Sequence, residues 1–216
     1  MSTLRILIAD DHDLIRRGIK TVVESRKGWE VCGEAITGTR AVAKAQELKP
    51  DVAILDISMP ELNGIEAAKR IRKASETTEI LMLSMHYSDQ IVHDIIATGI
   101  RGYLVKSDTG RDLSKAIENL ATHRPFYSSR VSDVIANRPC RDGASEARKN
   151  RTRVTSREGE IIQILSEGKS SKEAAVALNI SVKTVETHRA NIMRKLELHS
   201  VSELVRYAIR NQIIEA

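Results

Sequence analysis

Four charged residues of this 216-residue chain each follow directly after a short, largely apolar run. Asp10 and Asp11 end the first such run, Asp56 ends another, and Lys106 comes after a third. Carboxylates that crowd together repel unless a proton or a cation lies between them, and hard oxygen ligands suit Mg²⁺. A carboxylate that faces both a lysine and a divalent cation can attack a phosphoryl group. These residue types therefore predict a magnesium site with Asp56 as its central, phosphate-accepting carboxylate.

Five largely apolar runs predict β-strands, and they alternate with five amphipathic stretches that predict helices. The strand candidates are residues 4–9, 30–35, 51–55, 79–84 and 101–105. The helix candidates are residues 12–26, 38–48, 64–74, 88–98 and 110–121. This alternation predicts an α/β fold with a doubly wound, five-stranded parallel sheet in the order 2-1-3-4-5. Ligands of such sheets bind beyond the carboxyl ends of strands 1 and 3, which is where the three aspartates fall.

Other polar residues fall at the same predicted edge of the sheet. Ser84 ends strand 4, where its hydroxyl could bond a phosphoryl oxygen, and Lys106 at the end of strand 5 could pair with another. His12 adjoins the acids and leaves two interpretations open, an influence on the metal or phosphoryl chemistry and a surface position at a helix start. The surface position is favoured, because a single histidine without an identified partner is weak evidence.

Composition excludes several other classes of protein. Aromatic residues make up 3% of the chain, which argues against a large flavin or haem pocket. The two cysteines, Cys32 and Cys140, are too few for a disulfide framework or a structural zinc site. The chain shows no signal-like segment, and no stretch approaches the ~18 apolar residues of a membrane helix. We therefore expect a reduced, soluble, cytoplasmic protein without a membrane partner.

The charge is divided unevenly along the chain. Residues 1–124 carry 18 Lys and Arg against 18 Asp and Glu, whereas residues 125–216 carry 16 against 11, so the surplus of +5 lies in the second part. A basic module indicates an anionic partner, with nucleic acid as the first candidate. The periodic alternation of apolar and polar residues fades after the first part, which predicts a linker over residues 125–150, with a possible short helix over 128–137. The predicted domains are therefore residues 1–124 and 151–216.

The last part of the chain is helical in pattern. Four helices are predicted, at residues 156–167, 171–178, 182–196 and 201–212. Thr155, Ser170 and Ser200 each stand three residues before a glutamate, which predicts a capping box at three of the helix starts. The lengths of the second and third helices and the tight turn between them predict a helix-turn-helix.

The helix 182–196 has an apolar stripe and an opposite polar face. That polar face has short side chains near its middle and cationic side chains at both ends, which suits a DNA major groove. The periodicity alone would also fit an ordinary helix whose polar face is solvated. The predicted DNA-contacting residues are Lys183, Thr184, Glu186, Thr187, Ala190, Asn191, Arg194 and Lys195.

The first part of the chain resembles the receiver domain of bacterial two-component response regulators. The residues that carry this resemblance are Asp10-Asp11, Asp56-Ile57-Ser58-Met59-Pro60, Gly64, Ser84, Tyr103 and Lys106. The resemblance implies a flavodoxin-like fold and phosphorylation of Asp56 by a sensor histidine kinase. It also implies Mg²⁺ ligation by Asp10, Asp11, Asp56 and the backbone carbonyl of Ser58. Ser84 and Tyr103 match the two residues that switch together on phosphorylation.

The second part resembles the LuxR-type four-helix DNA-binding domain. The matching segments are residues 155–158, 168–175 and 180–196. Together the two parts resemble a response regulator of the NarL/FixJ subfamily. The resemblance implies that helix 182–196 reads a double-stranded DNA operator and that the phosphorylated protein forms a homodimer. It also implies that the last helix, with Leu204, Val205, Ala208 and Ile209 on one face, pairs with its copy.

Two other functions remain as alternatives. A haloacid-dehalogenase-type phosphatase also uses a strand-end aspartate, but it needs a second acid two residues later, where this chain has Ser58. A ligand-sensing LuxR-type regulator would need an aromatic pocket and no acidic triad, which is the reverse of this composition. We therefore expect a regulator and not a turnover enzyme.

Overall fold

Six parallel strands form the sheet of the first part of the chain. The computed structural model describes residues 3–85, 92, 95–128, 131, 154–211 and 213–214, and the chain divides into two units, Met1–Asn137 and Arg138–Ala216. The strands are β1 (Leu4–Ala9), β2 (Trp29–Ala35), β3 (Val52–Asp56), β4 (Glu79–Ser84), β5 (Gly102–Val105) and β6 (Phe126–Tyr127). Their order is β2-β1-β3-β4-β5-β6, which confirms the predicted doubly wound parallel sheet.

The sixth strand lies in a segment that the sequence pattern assigns to the linker, so that prediction is wrong for residues 126–127. β6 runs parallel to β5, with Phe126 opposite Gly102 and Tyr127 opposite Tyr103. Ser128 then donates its backbone N–H to the Tyr103 carbonyl at 3.1 Å. A strand of two residues is too short to show the alternation that identifies strands in a sequence.

Four helices of the first unit are described over their full length. They are α1 (Asp13–Glu24), α2 (Gly38–Leu48), α3 (Gly64–Ala74) and α4 (Thr109–Ala121), and each corresponds to a predicted helix. A 3-10 turn, Lys106–Asp108, connects β5 to α4. The predicted helix 88–98 lies partly outside the described residues, of which Val92 and residues 95–97 are helical.

Both faces of the sheet are buried, because each is covered by helices. Along β1 the side chains alternate: Ile6 and Ile8 contact the core that includes residues of α1 and α4, whereas Leu7 and Ala9 contact the core that includes residues of α2 and α3. All five residues of β3 are buried. This burial on both sides explains why the central strands are continuous apolar runs in the sequence.

Four helices form the described part of the second unit. They are α5 (Ser156–Ser166), α6 (Ser171–Leu178), α7 (Val182–Lys195) and α8 (Val201–Arg210), each ending at or up to two residues before its predicted end. Their core includes Ile161, Ile162, Leu165 and Ile192, while Ile164 and Val185 belong to a smaller cluster. None of the described helices is both long enough and apolar enough to cross a membrane.

The helix starts of the second unit are fixed by side-chain caps. Complete capping boxes form at Thr155 and Ser170, where the hydroxyl accepts an N–H and the glutamate three residues later accepts the N–H of the capping residue. At α8 the Ser200 hydroxyl accepts the Glu203 N–H, but the Glu203 carboxylate accepts the N–H of His199 at 2.7 Å. The prediction of a complete box at Ser200 is therefore wrong, although the start of the helix is as predicted.

The predicted pairing face of α8 is partly a core face. Leu204 is 1% exposed and Ala208 is 0% exposed, and both belong to the core of their own unit. Val205 and Ile209 are half-buried. The prediction that all four residues pair with a second copy is therefore wrong for Leu204 and Ala208, since an apolar helix stripe does not reveal which neighbour covers it.

Gly64 allows the start of α3 to approach the end of β3 closely. A Cβ atom at Gly64 would lie 1.9 Å from the Asp56 carbonyl oxygen and 3.0 Å from the Ile57 Cα. The Gly64 N–H also donates to the Ile57 carbonyl at 2.8 Å. Backbone atoms cannot move aside as a flexible side chain can, so only glycine fits here without displacing β3 or α3.

Gly64→Ala is expected to destabilise the protein by about 1–3 kcal/mol, the usual cost of overpacking a well-packed interior. The matched control is Gly18→Ala in the exposed part of α1, where a Cβ would meet nothing within 4 Å. That control should instead stabilise by about 0.5–1 kcal/mol, because alanine favours a helix interior. Urea denaturation of both variants measures the two free energies, and equal effects of the same sign would contradict the close approach.

Candidate functional site

The predicted charged residues meet at the carboxyl edge of the sheet. β1 and β3 are neighbours, so Asp10, which follows β1, lies beside Asp56 at the end of β3. Lys106 follows β5 at the same edge. Asp10 is 0%, Asp56 1% and Lys106 7% exposed. Charges this deeply buried must be paired, and these three residues supply charges of both signs.

Lys106 bridges the two buried aspartates. Its Nζ lies 3.0 Å from Asp10 Oδ2 and 3.0 Å from Asp56 Oδ2. Burial alone would favour the neutral amine, but the charges of Asp56 and Asp10 outweigh it and hold the pKa of Lys106 above its ordinary value. The lysine is therefore a fixed positive charge directly beside the Asp56 carboxylate.

A set of acidic groups at this edge has the geometry of a cation site. Ligand atoms of Asp10, Asp11, His12 and Asp56 all lie within 4.8 Å of one another. The Asp11 side chain is 33% exposed, so the cluster opens to solvent. Three carboxylates form a hard oxygen donor set, which fits Mg²⁺. Ser58 lies two residues beyond β3 and is half-buried.

His12 lies at the start of α1 and also contacts the acids. It occupies the N-cap position, and 40% of its side chain is exposed, as expected of a residue at a helix start. Its ring Nδ1 lies 3.0 Å from Asp11 Oδ1 and 3.4 Å from Asp10 Oδ1. The two interpretations of His12 are therefore not exclusive, because this surface position places the ring against the carboxylates.

Ser84 and Tyr103 form a buried pair on neighbouring strands. Ser84 ends β4 and is 3% exposed, while Tyr103 lies on β5 and is 0% exposed. Their side chains are hydrogen-bonded to each other. Burial raises the pKa of the Tyr103 phenol, and the bond to Ser84 opposes that shift. The tyrosine is consequently a neutral, enclosed hydroxyl whose polar end is directed toward the end of β4.

Arg16 contacts the main chain of Asp10, and sequence reasoning missed this residue. Its guanidinium donates to the Asp10 carbonyl, to the Glu34 carboxylate and to the Asp13 carboxylate. The spacing of Asp13 and Arg16 along a helix predicts their ion pair. The contact with Asp10 has no such signal, because it depends on how the strand meets the helix.

The exposed part of α7 contains most of the predicted DNA-contacting residues. Six of the eight are exposed: Lys183, Glu186, Thr187, Ala190, Asn191 and Arg194. On the opposite side, Val185 and Ile192 are 0% and 1% exposed. Arg194 donates to the Asn191 side-chain oxygen at 2.9 Å, which links two members of the face.

The other two predicted residues are held by contacts inside the unit. The Thr184 hydroxyl lies 2.8 Å from that of Ser181, which caps α7 by accepting the Thr184 N–H. Lys195 donates to Glu158 Oε2 at 2.7 Å. That ion pair helps to hold the pKa of Glu158 below its ordinary value, against the effect of burial. Thr184 and Lys195 therefore support the start and the end of α7.

Comparisons with known proteins agree with both parts of the structure. The family model for the response regulator receiver domain matches residues 6–118, and the model for bacterial regulatory proteins of the luxR family matches residues 152–208. The response regulator protein VraR of Staphylococcus aureus is 32% identical over 213 residues, which cover 99% of this chain and 100% of VraR.

Solved structures extend the similarity to three dimensions. RcsB from Salmonella enterica serovar Typhimurium, bound to promoter rprA in the presence of a phosphomimetic beryllofluoride, is 26% identical with a TM-score of 0.67, covering 95% of this chain and 98% of RcsB. A structure of two RcsB dimers bound to two parallel DNAs is also 26% identical, with a TM-score of 0.60, covering 97% and 99%.

The match along almost the whole chain, the parallel sheet and the helical second unit lead to one assignment. The chain belongs to the two-component response regulators that join a receiver domain to a LuxR-type DNA-binding domain, and it acts as a DNA-binding regulator of transcription.

Proposed function

We propose that Asp56 is the phosphoacceptor of this response regulator and that a sensor histidine kinase supplies the phosphoryl group. The observation that carries this proposal is the buried Asp10–Lys106–Asp56 contact, with both distances from Nζ at 3.0 Å. A carboxylate beside a fixed cation can accept a group whose transition state spreads negative charge over phosphoryl oxygens. Asp56 also lies at the carboxyl end of β3, beside β1, where the order of the strands reverses and ligands of such sheets bind.

The transfer itself needs few groups from the protein. An Asp56 carboxylate oxygen forms a bond to phosphorus while the bond from phosphorus to the kinase histidine nitrogen breaks, and that nitrogen keeps the electron pair. Lys106, already in contact with Asp56 Oδ2, pairs with an oxygen of the transferred group. The Ser84 hydroxyl at the end of β4 donates to another.

Mg²⁺ is the proposed cofactor of this transfer. Asp10, Asp11 and Asp56 would hold it together with the backbone carbonyl of Ser58, and the donor set of three carboxylates fits that ion. When bound, it supplies positive charge that neutralises the phosphoryl oxygens. The exposure of Asp11 supports this assignment, because it leaves the cluster open to an entering ion.

Ser84 and Tyr103 are the proposed link between phosphorylation and the rest of the receiver. The hydroxyl of Ser84 is shared at present with Tyr103, so a phosphoryl group that takes up this hydroxyl competes with the tyrosine. A bistable contact of this kind can convert a local charge into a change of surface. We infer that the altered receiver surface promotes a homodimer, and the RcsB dimers bound to DNA support this inference.

The exposed face of α7 is the proposed DNA-contacting surface, and double-stranded operator DNA is its partner. Its charge supports this proposal, since Lys183 and Arg194 are exposed near its two ends. RcsB bound to a promoter is a similar protein with DNA in place. We propose residues 1–124, 125–150 and 151–216 as receiver, linker and DNA-binding domain, with residues 126–127 reassigned to the sheet of the receiver.

A turnover enzyme is not proposed. A haloacid-dehalogenase-type phosphatase would need a general acid two residues after Asp56, and Ser58 cannot serve as one. The receiver is expected to promote only its own phosphorylation and a slow loss of the phosphoryl group. The matching DNA-binding family consists of bacterial regulatory proteins, and bacterial DNA lies in the cytoplasm, so we propose the cytoplasm as the location.

Asp56→Asn is expected to abolish labelling by acetyl phosphate and Mg²⁺, whereas the unchanged protein takes up one alkali-labile phosphoryl group. The amide cannot act as the nucleophile, and intact-mass spectrometry measures the added group. The control is Asp112→Asn, because Asp112 is a half-buried aspartate that pairs with the neighbouring Arg111 at 3.3 Å. Full labelling of Asp56→Asn would show that another residue accepts the group.

Lys183→Ala and Thr187→Ala are expected to weaken operator binding by about 1–3 kcal/mol while changing binding to random DNA less, because base contacts specify and phosphate contacts do not. The control is Lys115→Ala, an exposed lysine of α4 in the receiver. Titration of operator and random duplexes at several salt concentrations separates the two effects. Equal losses of operator affinity in all three variants would contradict the proposal that this face of α7 contacts DNA.

Tyr103→Phe is expected to leave phosphorylation intact and to reduce the gain in dimerisation and operator affinity caused by beryllofluoride. The substitution removes the bond to Ser84 but keeps the ring that fills the core. The control is Tyr127→Phe on β6, whose hydroxyl donates to the Ile100 carbonyl at 3.3 Å. Sedimentation with and without beryllofluoride measures the change, and identical behaviour of both variants would contradict the role of the pair.

A further inference from the structure

Arg16 connects three separate parts of the receiver through one guanidinium group. Its Nη1 donates to the Asp10 carbonyl at 3.0 Å, its Nε donates to Glu34 Oε2 at 3.2 Å, and its Nη2 donates to Asp13 Oδ1 at 2.5 Å. These partners belong to the end of β1, to β2 and to the first turn of α1. The Arg16 side chain is only 13% exposed, and its bonds to Asp10 and Glu34 are partly buried, whereas the bond to Asp13 lies at the surface.

The contact with Asp10 completes the anchoring of that residue's main chain. The Asp10 N–H donates to the Ala35 carbonyl of β2 at 3.1 Å, and its carbonyl accepts from Arg16. Its side chain accepts the His12 N–H at 2.9 Å through Oδ1, while Oδ2 faces Lys106 at 3.0 Å. The Asp10 carbonyl is part of the peptide that joins Asp10 to Asp11. Arg16 therefore holds the one peptide unit that connects two of the proposed cation ligands.

Glu34 holds the guanidinium in turn. Its Oε2 accepts from Arg16 and its Oε1 accepts from Lys20 at 2.8 Å, so each carboxylate oxygen has its own cation. The bond from Lys20 and the bond from Arg16 hold the pKa of Glu34 below its ordinary value, although partial burial opposes them. The backbone carbonyl of Glu34 also accepts from Lys44 at 2.6 Å. The position of Arg16 is thus fixed from the side of β2 as well as from α1.

We propose that Arg16 is a positioning residue of the cation site: by fixing the Asp10–Asp11 peptide against β2 and α1, it presets both carboxylates to hold a divalent cation. This inference rests on the proposed cation site at Asp10, Asp11 and Asp56 and adds a residue that does not touch the ion. Residues that orient metal ligands contribute to affinity because the ligands need no rearrangement on binding.

The neighbouring Arg17 supplies a matched control. It also pairs with Asp13, with its Nε at 2.7 Å from Oδ2, but its side chain is 75% exposed. Arg17 lies on the same helix and carries the same charge, and the described contacts tie it to no part of the Asp10 peptide. A general loss of positive charge near the acids would affect both arginines alike, whereas a positional role belongs to Arg16 alone.

The experiment measures Mg²⁺ binding to the full chain without any phosphoryl donor, by calorimetric titration and by the Mg²⁺-dependent rise in the melting temperature. Arg16→Gln is expected to weaken Mg²⁺ affinity about tenfold, in the range usual for residues that orient metal ligands. Arg16→Lys is expected to restore little of the Mg²⁺ affinity, because an ammonium group cannot reproduce the geometry of the three bonds that the guanidinium donates. Arg17→Gln is expected to change the affinity less than about twofold, consistent with a solvent-screened surface charge.

A milder variant keeps the test decisive if Arg16→Gln does not fold. Glu34→Gln removes the charge that holds the guanidinium while leaving Arg16 in place, and it should weaken Mg²⁺ affinity by a smaller factor. Equal Mg²⁺ affinity of the Arg16 and Arg17 variants, or full recovery by Arg16→Lys, would overturn the positional role. Asp11→Asn separates the two levels of the proposal: Mg²⁺ binding that survives this substitution would overturn the cation site itself, and the role of Arg16 with it.

Discussion

The ammonium group of Lys106, held between two buried carboxylates, is the constraint on which the receiver depends. Asp10, Asp56 and Lys106 come from three distant parts of the chain and meet only because β1, β3 and β5 run parallel in one sheet. β4 lies between β3 and β5, so these two strands are about 10 Å apart at the usual strand spacing. A lysine is long enough to reach back across the end of β4, and each carboxylate it meets would be costly to bury alone.

The sequence could predict this arrangement to the level of strand ends. Burial on both faces makes the central strands apolar runs, and parallel topology then brings their last residues to one edge, so the neighbourhood of Asp10 and Asp56 follows from the pattern. The pattern could not show that Lys106 contacts both aspartates or that Arg16 reaches the Asp10 carbonyl. Such contacts depend on turn geometry and rotamers at the strand ends, and they have no fixed spacing in the sequence.

In the helical DNA-binding unit, too, the sequence predicts local structure but not the contacts between distant residues. Capping residues and apolar stripes are local signals, and they predicted all four described helices to within two residues at each end. The partners of polar residues are not local. Lys195 meets Glu158, 37 residues earlier in the chain, and α8 turns Leu204 and Ala208 toward its own core. A helical wheel identifies a face, but only the tertiary structure identifies what covers it.

The short strand β6 has a mechanical consequence for the part of the receiver that follows α4. β6 is joined to β5 by backbone bonds, and Ser128 is bonded to the carbonyl of Tyr103 itself. Residues 126–128 are therefore fastened to the strand that carries the buried tyrosine. Val131, a little farther along, is 0% exposed in the core of the same unit, so a displacement of β5 would also disturb the chain that follows it.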